Sequence, residues 1–157
     1  MDKKKILKFQ IFSIIFVSIL GTLLHFVYEW LGENSIVAAF SAVNESTWEH
    51  LKLLFFPMLI TTIIGYFYIG KNVSNFICAK TYGIIVAILF IIIFFYTYTG
   101  VIGTNFAIID IGSFFIAVIL GEYVAYRIII SNTYMFNCNK NLSIIILTVL
   151  FLAFVIF

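Results

Sequence analysis

The chain has 157 residues, of which 64% are hydrophobic, 19% aromatic and 10% charged, with a formal net charge of +2. A water-soluble domain carries about 25% charged residues, so a mean hydropathy of +1.17 excludes a water-facing globule and makes the lipid bilayer the expected solvent. The bases are scattered rather than patched, which argues against nucleic acid as a partner, and the absence of linkers and repeats leaves one transmembrane domain over residues 1–157.

A helix needs about 20 apolar residues to cross a hydrocarbon core roughly 30 Å thick. Within that core every backbone amide must find its partner inside its own segment. These rules predict an all-α integral membrane protein, a bundle of about five transmembrane helices near residues 6–28, 51–69, 81–99, 106–126 and 142–157.

The first span follows Lys3, Lys4, Lys5 and Lys8. No small-x-small cleavage site comes after it, so it reads as a retained anchor rather than a signal peptide. Ser18, Thr22, His25 and Glu29 share one face of it at helical spacing. Lipid would not tolerate that polar stripe, and it is expected to face the bundle.

Within the outer loop, residues 31–47, the stretch 31–43 is too short to cross. It reads as a segment that dips into the interface or re-enters the membrane, bringing Glu45 back beside the end of the first span. Ser46-Thr47-Trp48-Glu49 then fits a capping box, with the Ser46 hydroxyl on the amide of Glu49 and the Glu49 carboxylate on the amide of Ser46. Asn44 is a competing cap. Capping accounts for Glu49 and leaves Glu45 and His50 unexplained. On the second span His50, Leu53, Pro57 and Thr61 share a face, and Pro57 is expected to kink the helix.

On the fourth span Asp110, Ser113, Ala117 and Gly121 align, and small residues at this spacing let another helix approach closely. Glu122 stands apart, near the other membrane face, as a partner for Arg127 or Lys80. The last span is short and stops at Phe157 without a charged or aromatic anchor, which suggests a chain that continues in the natural protein.

The positive-inside rule places the N-terminus in the cytoplasm. Lys3, Lys4, Lys5, Lys8, Lys71, Lys80, Arg127 and Lys140 then lie inside and Lys52 alone outside, while Glu29, Glu33, Glu45 and Glu49 are all outside. Tyrosines and tryptophans from Tyr28 to Tyr134 cluster at span ends, as an aromatic belt does. Together with a composition heavy in Ile, Phe, Asn and Lys, this suggests a multi-pass protein of the bacterial cytoplasmic (inner) membrane. Cys78 and Cys138 fall on the reducing side, so no disulfide is expected. Neither sits in a zinc-binding spacing.

Ionisable side chains within a membrane are expensive and by default mark function. The candidates for binding a metal or a proton are His25, Glu29, Glu45, Glu49, His50 and Asp110. Imidazoles mixed with carboxylates suit a divalent transition metal such as Zn²⁺, Mn²⁺ or Fe²⁺. Three readings stay open. One is a small membrane-embedded metal-dependent hydrolase or lipid-modifying enzyme that activates water near the outer leaflet. Another is a proton-coupled carrier built on the histidines. The third is a structural network, with Asp110 paired to His25, His50 or Lys52, that locks helices or docks a partner subunit. A homo-oligomer is compatible with each.

The stretch HFVYEWLGENSIVAAFSAVNESTWEHLKLLFFPML resembles the signature of an uncharacterised family of small bacterial polytopic membrane proteins. The shared core is a His-x-x-Tyr-Glu end to the first span, then V-N-E-S-x-W-E-H-L-K-L-x-x-F-P. It runs through His25, Tyr28, Glu29, Val43, Asn44, Glu45, Ser46, Trp48, Glu49, His50, Lys52 and Pro57. The resemblance covers about 35 residues clearly. It implies a helical membrane fold and a Pro-containing tail beyond the fifth span, and it brings no activity with it.

Overall fold

Gly, Asn and Ser interrupt the apolar runs of this chain, and several helices of the computed structural model begin or stop at such residues. The structure describes residues 3–131 and 139–157. Its helices are α1 (Lys3–Trp30), the single turn α2 (Ser35–Ala38), α3 (Thr47–Tyr68), α4 (Phe76–Ile102), α5 (Ala107–Ile130) and α6 (Lys140–Ile156), with a 3₁₀ turn at Gly70–Asn72. Asn34, Ser46 and Asn139 cap the starts of α2, α3 and α6 through their side-chain oxygens. Gly103, at φ 86°, closes α4 in the left-handed conformation that a side chain would resist.

Four helices, α1, α3, α4 and α5, are long and apolar enough to cross a membrane. α6 is apolar but has 17 residues, below that length, so the expected fifth span is present as a shorter helix. α1 packs on α3 and α5, α3 on α4, and α4 on α5 and α6. The central element is α3: 61% of its most apolar window is buried, against 17–28% for the other three long helices. Leu54, Phe55 and Met58 on α3 meet Val17, Ile84, Ala117, Val118 and Phe154 from the surrounding helices in one core.

Two close approaches set this packing. Pro57 has no amide to give the carbonyl of Leu53, yet α3 runs unbroken through it. Gly21 of α1 lies against that carbonyl, where an added Cβ would come within 2.6 Å of the oxygen. Between α4 and α5, a Cβ on Gly83 would sit 2.5 Å from the Gly121 carbonyl, and one on Gly121 would sit 2.7 Å from the Gly83 carbonyl. Ser113 and Ala117 are buried along the same helix as Gly121.

The expectation of no disulfide turns on both cysteines, Cys78 and Cys138. Cys138 and Tyr134 lie outside the described residues.

Candidate metal centre

The segment between α1 and α3 is held down at several points. The Ser41 hydroxyl donates to the carbonyl of Leu24 on α1. Lys52 Nζ donates to the Ala38 carbonyl at 3.2 Å and pairs with Glu49 at 2.8 Å, both side chains being buried. The second oxygen of Glu49 accepts from the amide of Val43 at 3.1 Å. Glu49 is therefore a tether for the segment and faces away from the histidines.

Half of the predicted capping box forms: the amide of Glu49 donates to Ser46 Oγ at 3.3 Å. The other half does not, because Asn44 Oδ1 takes the Ser46 amide at 2.9 Å and frees the Glu49 carboxylate for Lys52. A buried ammonium is a stronger partner for a carboxylate than a backbone amide.

This tethering brings three side chains together. His25 lies in the last two turns of α1, His50 in the first turn of α3, and Glu45 on the segment between them. Their ligating atoms all lie within 4.8 Å of one another. Glu45 uses both oxygens, one at 3.8 Å from His25 Nε2 and the other at 3.4 Å from His50 Nε2. The imidazole rings are 5.3 Å apart, centre to centre. Their side chains are 30% and 34% exposed against 83% for Glu45, so the site opens to the exterior with an exposed carboxylate over two half-buried rings.

One contact decides the chemistry of His50. Its Nδ1 lies 2.9 Å from the carbonyl of Ser46. A carbonyl only accepts, so Nδ1 carries the proton and Nε2 keeps its lone pair in the neutral ring. Metal-ligating histidines are oriented in this way, by a backbone acceptor on the other ring nitrogen.

The remaining sequence candidates lie elsewhere. Glu29 is exposed, as is Thr22, so the predicted stripe on α1 does not face the bundle as a whole. Thr22 meets its own need by donating to the Ser18 carbonyl at 2.8 Å. Asp110 belongs to the α4–α5 turn: it accepts from the Tyr98 hydroxyl and, at 3.1 Å, from Asn105 Nδ2. Tyr98 in turn accepts from the amide of Phe106 at 3.3 Å. The expected pairing of Asp110 with His25, His50 or Lys52 is replaced by this local lock, because Tyr98 and Asn105 are nearer along the hairpin.

At the opposite end, Lys80 and Glu122 form an ion pair at 2.6 Å in which both side chains are 0% exposed. Gln10 of α1, with its amide turned to suit its neighbours, donates to Glu122 Oε2 at 2.5 Å and accepts from the amide of Tyr126 at 3.2 Å. Residue spacing had offered Lys80 or Arg127 as partners for Glu122. Arg127 instead donates to the Tyr123 hydroxyl at 2.7 Å. Gln10 was missed, although a lone amide inside an apolar span was signal enough to find it.

An all-helical bundle with four bilayer-length apolar helices, and a His/Glu cluster open at one end, defines the class as that of a multi-pass membrane protein. The chain belongs to a family of unknown function, DUF6512, whose family model covers residues 1–157. No curated protein and no solved structure matches the chain.

Proposed function

We propose that this chain is a bacterial inner-membrane protein that binds one divalent transition metal, Zn²⁺ foremost, through His25, Glu45 and His50 on its extracytoplasmic face. The observation that carries the proposal is the Nδ1–H bond of His50 to Ser46, which presents Nε2 as a ready ligand. Bonds of about 2.0–2.1 Å around tetrahedral zinc put neighbouring ligand atoms roughly 3.3 Å apart. The 3.4 and 3.8 Å contacts of Glu45 are near that spacing already, and its exposed side chain has room to close the remainder.

Two histidines and one carboxylate make the ligand set of catalytic rather than closed structural zinc sites, with a fourth position left open. Zinc in such a site activates water near neutral pH, the chemistry of a hydrolase or lipid-modifying enzyme working at a leaflet surface. The orientation rests on charge. The end with the α1 start, the α3–α4 connection and the α5 terminus carries eight of the nine bases, and such ends stay in the cytoplasm.

The test is zinc titration of the detergent-purified chain after chelator treatment, read by elemental analysis. One zinc per chain is expected, with His25→Ala and His50→Ala each lowering affinity at least about tenfold. Zinc held equally well by both variants would refute the assignment. Protons compete with the metal for the same lone pairs, so occupancy falls as the solution is made more acidic.

A further inference from the structure

The other end of the molecule carries a concentration of positive charge. Lys3, Lys4, Lys5 and Lys8 occupy the first two turns of α1, with no acid in the first turn. Cations at a helix N-terminus oppose the macrodipole, so this placement works against the helix it begins. Asp2 lies outside the described residues.

Three of these lysines share a cleft. Lys4, Lys5 and Lys8 line a space of about 640 Å³ between α1 and the end of α3. Its other wall is apolar and aromatic, with Phe12, Ile64 and Tyr68 all substantially exposed. Lys5 Nζ stands 4.4 Å from the centre of the Tyr68 ring, which holds that ammonium at the cleft rather than out in solvent. Going up α1, charge gives way to grease within two turns: Lys4, Lys5 and Lys8, then Phe12.

We propose that this cleft binds an anionic phospholipid, its phosphate among Lys4, Lys5 and Lys8 and its acyl chains along Phe12 and Ile64. Charge complementarity selects an anion, and the helix start adds its own positive end. The apolar wall selects an amphiphile. A free phosphate would leave Phe12 and Ile64 unused, and a second copy of this chain would bring lysines against lysines.

The experiment is native mass spectrometry of the full chain released from detergent, titrated with phosphatidylglycerol, phosphatidylcholine or inorganic phosphate. One phosphatidylglycerol per chain should survive release, with phosphatidylcholine much weaker and millimolar phosphate unable to displace it. Each lysine near an anionic surface contributes about fivefold in affinity, so K4Q/K5Q/K8Q should weaken binding by roughly a hundredfold. The single variant Lys8→Gln, expected to cost about fivefold, serves if the triple variant does not fold. The control Lys3→Gln/Lys71→Gln removes two charges from the same end but outside the cleft and should leave binding nearly unchanged. Undiminished binding by the cleft variants would overturn the proposal. So would an equal loss in the control, or displacement of the lipid by phosphate alone.

Discussion

Two polar sites of this bundle are opposites in how far their hydrogen-bonding capacity is used. The Lys80–Glu122 pair is sealed, with both carboxylate oxygens 2.6 Å from the ammonium and one of them also taken by Gln10. The His25–Glu45–His50 group is open, with one nitrogen of each ring facing an exposed carboxylate. A saturated site inside a membrane holds helices together. An unsaturated one at its rim is what a ligand needs. Burial and function therefore part company here: the most buried charges are the structural ones.

That contrast can be broken at either end. The largest effect should come from Glu122→Ala, which strands Lys80 in an apolar interior and is expected to cost about 3–5 kcal/mol, as removal of one buried partner does. The paired replacement Lys80→Met/Glu122→Leu should recover most of that loss. Reversible unfolding in mixed detergent micelles measures both, and a marginal cost for Glu122→Ala would mean that the pair is not sealed from water.

A smaller loss, about 1–3 kcal/mol, is expected for Gly121→Ala. Its Cβ would meet the Gly83 carbonyl at 2.7 Å and force α4 and α5 apart. The same unfolding assay reads it, and an unchanged stability would show that the interface has slack.

The smallest change in stability should follow Glu45→Ala, under about 1 kcal/mol, because exposed ion pairs contribute little. Its effect should appear in zinc affinity instead. A variant that unfolds the protein without touching zinc affinity would reverse the roles assigned to the two sites.

The helical frame was legible because it depends on local properties, the length of apolar runs and the few residues able to end them. The convergence of His25, Glu45 and His50 was half legible. Helix spacing put the histidines at the same membrane face, and the short connection had to return Glu45 to it. Which acids would join them was not legible, since that depends on competition between partners. Glu49 went to Lys52 and Val43, and Asp110 to Tyr98 and Asn105, because those groups were close in space and otherwise unsatisfied. No periodicity reports such an outcome. The exposure of Thr22 and Glu29 has a simpler cause: Thr22 can satisfy itself on its own helix, and Glu29 sits at the terminus, where polar surroundings begin.

The central claim, that His25 and His50 offer ring nitrogens to one metal together with Glu45, is tested most directly by zinc X-ray absorption on the loaded chain. The account predicts two imidazole ligands with oxygen completing the shell, at about 2.0–2.1 Å, and loss of one imidazole contribution in His50→Ala. A shell of oxygen alone, or one unaltered by that substitution, would contradict it.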